Sequence, residues 1–178
     1  FAWGIPGSVG GAAFMNAGAF EGQLSDVLVS TTHVTRTGKT DSLLGPEMEM
    51  DYRKSAYQKN GCIITSVVVR LEPGNAEQIS LVMDDYFNRR KERQPLEMPS
   101  AGSVFKRPDG MYAGALIEQA GLKGTQVGGA MVSEKHAGFI VNTGGATCED
   151  VLKLIDQIQK TVFKKSGVRL ECEIRPIS

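Results

Sequence analysis

The sequence has no long apolar run and no excess of either charge. Its 178 residues carry 20 Lys+Arg against 20 Asp+Glu, which gives a formal net charge of +0. Chains that bind nucleic acid or membrane surfaces through charge usually have a basic excess, so this balance argues against both partners. No segment approaches the roughly 20 apolar residues that cross a bilayer. The composition, 41% hydrophobic and 22% charged, is that of one globular domain or two small ones.

Cysteine and histidine are too few and too scattered to indicate a metal site. Cys62, Cys148 and Cys172 lie far apart and form no C-x-x-C pair, and His33 and His136 are isolated. Because zinc and non-haem iron sites need ligands at short spacings, we expect no metal. We expect the cysteines to be reduced and half-buried, as in a cytoplasmic protein.

The start of the chain lacks an initiator Met and the charged, then apolar, pattern of a signal peptide. The missing Met predicts that the sequence is a fragment of a longer protein.

Strands and helices are predicted in two groups, which favours an α+β fold with two units. Stretches rich in β-branched or alternating residues predict strands at residues 26–35, 40–44, 62–71, 139–141 and 168–175. Apolar residues at helical spacing predict helices at residues 75–93, 112–120 and 150–165. The strand at 62–71 is too apolar to be open to water on both faces. In the last strand, one face would carry Val168, Leu170, Cys172 and Ile174.

Two of the helices carry clear end signals. Asn75 and Gln78 resemble a capping box, while the cationic run NRRKERQ fits a solvated helix C-terminus. Thr147 and Gly167 would begin and end the helix at 150–165. The apolar stripe of that helix would contain Val151, Leu154, Ile155, Ile158, Val162 and Phe163. A Pro- and Gly-rich segment follows residue 94, so we predict domains at 1–94 and 95–178.

The opening stretch GIPGSVGGAAFMNAGAF (residues 4–20) is unusually rich in glycine. It contains neither a Walker loop nor the dinucleotide pattern G-x-G-x-x-G. Pro6 fits the first position of a helix, and the amides of Gly7, Ser8 and Val9 would then point toward an anionic group such as a pyrophosphate. From the residues alone, however, a turn or tight packing is the more common role of a glycine-rich loop.

The same stretch resembles the flavin-binding segment of UDP-N-acetylenolpyruvoylglucosamine reductases, flavoenzymes of bacterial cell-wall precursor synthesis. Related flavin oxidases share something like this loop but not the motifs that follow. Four more motifs appear in the family's order and extend the resemblance over essentially the whole chain: MDYRKSAY (50–57), PSAGSVFKRP (99–108), AGLKGTQVGGAMVSEKHAGFIVNTGGAT (120–147) and LECEIRPIS (170–178).

The resemblance implies a fold, cofactors and a location. Residues 1–94 would be the second half of a vanillyl-alcohol-oxidase-like FAD-binding domain, with 75–94 as a connecting helix, and an N-terminal flavin subdomain would be missing. Residues 95–178 would form a small α+β substrate-binding domain. The family uses FAD and NADPH, is cytoplasmic and is generally monomeric. The implied FAD contacts are Ile5, Gly7, Ser8, Gly10, Gly11, Gly18 and the backbone at Ile64.

The family's reaction reduces the enolpyruvyl group of a UDP-sugar, and the resemblance assigns catalytic roles to Arg53, Ser103 and Glu173. Arg53 matches an arginine that neutralises the enolpyruvyl carboxylate, a task suited to a guanidinium fork. Ser103 matches the proton donor, and Glu173 the glutamate that assists charge development. Without the resemblance, these residues would be interpreted as a surface arginine, a loop serine and the polar face of a strand.

Substrate contacts are implied at Lys106, Arg107, Lys123 and His136. Lys106 and Arg107 would bind the uridine diphosphate, although the family usually has Asn where this chain has Arg107. A structural role for His136 is an equal alternative. Two other functions remain open at this point: another FAD-dependent oxidoreductase of the same fold, and a non-catalytic binding module.

Overall fold

The computed structural model describes residues 1–177 and divides into two compact units, Phe1–Arg90 and a second unit that begins at Lys91. Helices and antiparallel strands occur in both units, so the predicted α+β class is confirmed.

The first unit is built around a three-stranded antiparallel sheet in the order β4-β3-β5. A two-stranded hairpin, β1-β2, precedes this sheet. Short 3-10 turns lie at Leu24–Asp26 and Gly45–Met48. The regular elements are α1 (Val9–Met15), β1 (Gly18–Ala19), β2 (Gly22–Gln23), β3 (Leu28–Val34), β4 (Thr40–Leu44), α2 (Tyr57–Asn60), β5 (Ile63–Val69) and α3 (Ala76–Arg93).

The expectation that the strand at 62–71 is shielded from water is wrong. In β5, Ile63 is 71% exposed and Val68 is 53% exposed. Within the strand just Ile64 and Val67 are partly covered, and the other five residues are exposed.

Helix α3 begins as predicted, because the side chain of Asn75 accepts a hydrogen bond from the amide of Gln78 at 3.0 Å. Its cationic end is not simply solvated. Arg90 is only 6% exposed, lies over the ring of Phe20 at 5.0 Å and donates to the carbonyl of Phe1 at 3.2 Å. A planar guanidinium can lie flat on an aromatic ring, which a lysine ammonium cannot do. The cationic run therefore contains one buried residue that the sequence pattern did not indicate.

The second unit packs two helices on a four-stranded antiparallel sheet, in the order β6-β9-β8-β7. Leu154, Ile158 and Ile117 are fully buried in its apolar core. The predicted helices and the strand β9 are confirmed, whereas β6, β7 and β8 were missed because they are too short to show a period. The elements are β6 (Ser100–Ser103), α4 (Ala113–Gln119), β7 (Gln126–Val127), β8 (Ala130–Val132), β9 (Phe139–Asn142) and α5 (Cys148–Ser166).

Helix α5 has the predicted ends. Thr147 and Asp150 form a reciprocal capping box, and Gly167 closes the helix at φ 72°. One member of the predicted stripe is wrong: Phe163 is 45% exposed, and the guanidinium of Arg169 covers its ring at 4.9 Å.

Residues 168–175 do not form the predicted strand. The alternation is correct, since Leu170 is buried and its alternate neighbours pack on the core. The hydrogen-bonded pairing is limited to one isolated bridge, Phe105 with Cys172. Two main-chain bonds flank this bridge, from Lys106 to Glu171 and from Glu173 to Val104, both at 2.8 Å. The partner segment is too short to support a regular ladder.

The three thiols are free, but only two of them are half-buried. Cys148 is exposed, contrary to expectation, because it is the first residue of α5 and lies at the end of the helix. Over residues 1–177, no three His, Cys, Asp or Glu side chains are grouped as a metal ion would require. Within the same residues, every helix is too short or too polar to span a membrane.

Candidate functional site

The glycine-rich loop leads into α1, but not in the predicted way. Pro6 is not the first helical residue, because Gly7 has a φ of 150° and Ser8 is extended. Ser8 is the N-cap instead, and its hydroxyl accepts the amide of Gly11 at 3.0 Å. The first-turn amides of Val9 and Gly10 lie next to this cap at the helix start.

Several predicted FAD residues are neighbours in this unit. A Cβ atom built on Gly10 would lie 3.8 Å from the carbonyl oxygen of Ile64, so α1 passes beside β5. A Cβ on Gly7 would meet nothing within 4 Å, which leaves open space above the loop. At Gly18, by contrast, a Cβ would come within 2.8 Å of the carbonyl oxygen of Gly22. Gly18 is therefore required by the close approach of β1 and β2.

Arg53 is brought to the same region. Its guanidinium Nη2 donates to the carbonyl oxygen of Gly18 at 2.9 Å, and its Cζ lies 5.0 Å from the ring centre of Tyr52. Arg53 has a φ of 52°, in the left-handed region that side chains with a Cβ rarely adopt. It occupies the corner of a tight turn in which Asp51 and Lys54 exchange main-chain bonds at 3.1 and 3.2 Å.

Hydrogen bonds from outside the turn hold this strained corner. Gln58 donates its amide to the carbonyl of Arg53 at 2.9 Å. Asn16 donates its amide to the carbonyl of Asp51 at 3.0 Å. The sequence analysis missed Asn16, although an Asn directly after a short apolar helix is a known signal for a left-handed helix end.

In the second unit, Ser103 and Glu173 lie on neighbouring backbone segments. Val104, which follows Ser103, donates to the carbonyl of Gly138 at 2.9 Å and accepts from the amide of Glu173 at 2.8 Å. The segment after Ser103 is therefore held between β9 and the C-terminal segment. The Ser103 hydroxyl itself donates to the carbonyl of Phe105 at 3.3 Å, a long bond for a hydroxyl.

His136 lies close to Ser103 across Gly138. A Cβ at Gly138 would lie 2.9 Å from the imidazole Cε1 of His136 and 3.6 Å from the hydroxyl of Ser103. The imidazole Nδ1 accepts the amide of Gly138 at 3.0 Å, so the neutral ring carries its proton on Nε2. Burial lowers the pKa of His136, with a smaller lowering by the charge of Lys123. Gly138 is a second residue that the sequence analysis missed.

Three of the predicted substrate contacts have partners within the chain. Lys106 pairs with Glu171, and Lys123 pairs with Glu118 at 2.6 Å. The guanidinium of Arg107 lies 3.9 Å from the ring centre of Tyr112, whose side chain is 63% exposed. Any anion that binds here would compete with two glutamates.

The predicted site residues therefore form two groups, one in each unit. The first unit holds Arg53 and the seven predicted FAD contacts, and the second holds Ser103, Glu173 and the predicted substrate contacts. A cleft of about 610 Å³ at the ends of β3 and β5, beside Ile79, contains none of them.

Comparison with known proteins gives consistent matches. Residues 94–177 match the family model described as UDP-N-acetylenolpyruvoylglucosamine reductase, C-terminal domain. A reductase of that name from Latilactobacillus sakei is 54% identical over 99% of this chain, which spans 58% of the relative's length. One from Lachnoclostridium phytofermentans is 51% identical over 99% of this chain, which spans 57% of its length.

Among solved structures, the chain is similar to the crystal structure of UDP-N-acetylenolpyruvylglucosamine reductase from Thermus caldophilus. The TM-score is 0.84 at 38% identity, with 97% of this chain and 61% of that chain covered. The sequence and structural matches agree: residues 94–177 match the C-terminal domain model, and nearly the whole chain is similar to part of proteins named UDP-N-acetylenolpyruvoylglucosamine reductase.

Proposed function

We propose that this chain is part of an NADPH-dependent flavoenzyme that reduces the enolpyruvyl group of UDP-N-acetylglucosamine enolpyruvate to give UDP-N-acetylmuramate. Such an enzyme would act in peptidoglycan precursor synthesis in the cytoplasm. The observation that carries the proposal is the main-chain pairing around Val104, which holds Ser103 next to Glu173. The names of relatives about half identical over nearly the whole chain support it.

The residues of the glycine loop fit the cofactor that this function requires. The helix start offers the amides of Val9 and Gly10, and the space above Gly7 is open, which suits an anionic group close to the backbone. When bound, FAD reduced by NADPH would supply the hydride. We propose that it is held by Ile5, Gly7, Ser8, Gly10, Gly11, Gly18 and the backbone at Ile64.

Three side chains would perform the rest of the reaction. Arg53 would bind the enolpyruvyl carboxylate and stabilise the negative charge that develops on it. Ser103 would donate its hydroxyl proton to the carbon next to the one that receives the hydride, and regain a proton from solvent. The long bond from Ser103 to Phe105 leaves this hydroxyl easy to redirect. Glu173 would assist the development of charge in the enolpyruvyl group during the reaction.

Substrate binding would use the cations of the second unit. Lys106 and Arg107 would contact the diphosphate and Lys123 would also contact the substrate, with the two lysines leaving their glutamate partners. His136 would contribute a neutral donor, because its Nδ1 already accepts the amide of Gly138. In the complex, the positive charges of these residues would therefore pair mainly with the substrate and not with glutamates of the chain.

The experiment that tests this function separates the two halves of the reaction. The protein is loaded with FAD, reduced anaerobically with NADPH, and mixed with the enolpyruvyl substrate while flavin absorbance is followed. For Ser103→Ala, we expect normal reduction by NADPH and at least about 100-fold slower reoxidation by substrate. The matched control is Ser80→Ala, which removes an exposed hydroxyl from α3.

Two outcomes would count against the proposal. If the substrate does not reoxidise the reduced flavin of the unaltered protein, the assigned reaction is wrong. If Ser103→Ala reoxidises at the rate of the unaltered protein, Ser103 is not the proton donor.

A further inference from the structure

The side chain of Asn16 is a buried polar group close to the turn that contains Arg53. Asn16 is 1% exposed and ends α1 in the left-handed conformation, at φ 43° and ψ 60°. Asparagine tolerates this conformation better than most residues, so its backbone role is that of a helix cap. A cap alone, however, requires no side chain, because glycine would serve equally well.

The amide of Asn16 uses its hydrogen-bonding groups on three different segments. Its Nδ2 donates to the carbonyl of Asp51 at 3.0 Å and to the side-chain oxygen of Gln23 at 3.2 Å. Its Oδ1 accepts the amide of Ser25 at 2.9 Å. One buried amide thus joins the end of α1, the hairpin β1-β2 with its following turn, and the turn that contains Arg53.

The bond to Asp51 is matched by a bond in the opposite direction. Asn16 donates from the 16–18 segment to the turn at Asp51, and Arg53 donates from the turn to Gly18 in the 16–18 segment. The two bonds therefore connect the same two segments. Because Arg53 sits at a left-handed corner, its direction depends on how firmly Asp51 is held.

We propose that Asn16 is a positioning residue for Arg53: its side-chain amide fixes the Asp51 carbonyl and so holds the guanidinium against Gly18. The catalytic consequence rests on the function proposed above for Arg53. The site needs an amide, since a carboxylate of the same size cannot donate to Asp51. A small displacement of a positioned charge is enough to slow a reaction strongly.

Two substitutions separate the cap from the side-chain role. Asn16→Gly keeps the left-handed helix end but removes all three side-chain bonds. Asn16→Asp keeps the size and the acceptor for Ser25 but replaces both donors with an acceptor. The matched control is Asn60→Asp, because Asn60 is exposed and its Oδ1 only accepts, from the amide of Cys62 at 2.9 Å.

The kinetic test uses the flavin-loaded protein and compares each variant alone and combined with Arg53→Lys. We expect Asn16→Gly and Asn16→Asp to slow reoxidation by the enolpyruvyl substrate about 10- to 100-fold, with flavin reduction by NADPH unchanged. Because Asn16 acts through Arg53, neither should slow the Arg53→Lys protein further. Normal reoxidation, or an equal further loss in the Arg53→Lys background, would overturn the proposal.

A measurement independent of catalysis keeps this inference apart from the proposed function. Amide hydrogen exchange at Lys54, which donates to Asp51 at 3.1 Å, should be faster in both Asn16 variants and unchanged in Asn60→Asp. The amide of Gln78, bonded to Asn75, serves as an internal reference. If the unaltered protein does not react with the substrate, this measurement decides: faster Lys54 exchange supports the positioning role, and unchanged exchange overturns it.

Discussion

The two units are stabilised by different kinds of interaction. Over its described residues, 91–177, the second unit buries 17 hydrophobic residues and one polar residue, Ser133. The first unit buries three hydrophobic residues and five polar or charged ones: Ala13, Met48, Tyr57, Asn16, Thr31, His33, Ser55 and Arg90. Apolar packing is roughly proportional to area and tolerates small shifts, whereas a buried hydrogen bond depends on direction. Equivalent substitutions should therefore have unequal effects in the two units.

The largest expected effect comes from adding a side chain at a point in the second unit where two backbone segments lie very close together. A Cβ on Gly129 would lie 2.4 Å from the carbonyl oxygen of Gly144 and 2.5 Å from the amide nitrogen of Ala146, and neither backbone can move away easily. We expect Gly129→Ala to lower the free energy of unfolding by roughly 4 kcal/mol, measured by urea denaturation. The control Gly167→Asn, at an open left-handed position, should lower it by less than about 1 kcal/mol.

The next prediction compares one change in both units. Leu154 in α5 is fully buried, and Leu81 in α3 is 65% exposed. Leu154→Ala should destabilise the protein by about 3 kcal/mol through lost burial and a cavity. Leu81→Ala should change stability by no more than about 0.5 kcal/mol. Similar losses for the two variants would break the comparison between the units.

The buried polar cluster of the first unit tests the loss of hydrogen bonds instead of the loss of apolar burial. The Tyr57 hydroxyl lies 2.6 Å from the hydroxyl of Thr31 and 2.9 Å from Nδ1 of His33, and all three side chains are buried. Tyr57→Phe should destabilise by about 2 kcal/mol, because it leaves two buried polar groups unpaired. Thermal unfolding of Tyr112→Phe, an exposed site, is the control, and an equal effect there would mean that the cluster contributes little.

The smallest expected effect is a pH dependence in the second unit. Burial lowers the pKa of His136 below its ordinary value of 6.5, so below that pH the unfolded chain binds a proton that the folded protein does not. Stability from this residue is fully present above pH 6.5 and decreases as the pH falls through the lowered folded pKa. His136→Asn, with an oxygen to accept the amide of Gly138, should remove this part of the pH dependence. An unchanged profile of unfolding free energy against pH would show that His136 does not titrate differently on folding.

Local sequence signals predicted the elements that are determined locally. Helix α5 has a capping box, an apolar stripe and a terminal glycine, and the structure agrees at both ends. Residues 168–175 show perfect alternation, yet form one bridge only, because strand formation depends on a partner that the pattern does not describe. Asn16 is a similar case: the local sequence indicates a helix end there, but the contact with Asp51, 35 residues away, has no sequence signal. For the candidate site, Arg53, Ser103 and Glu173 remain predictions made from family motifs, and composition alone would have singled out none of them.

The two main-chain bonds of Val104 have a practical consequence. They hold Ser103 and Glu173 at adjacent points of the backbone without using either side chain as support. Because these bonds involve main-chain atoms only, the backbone pairing of the two positions can be checked in each single variant before a change in rate is assigned to chemistry. Chemical roles can in this way be assigned here one functional group at a time.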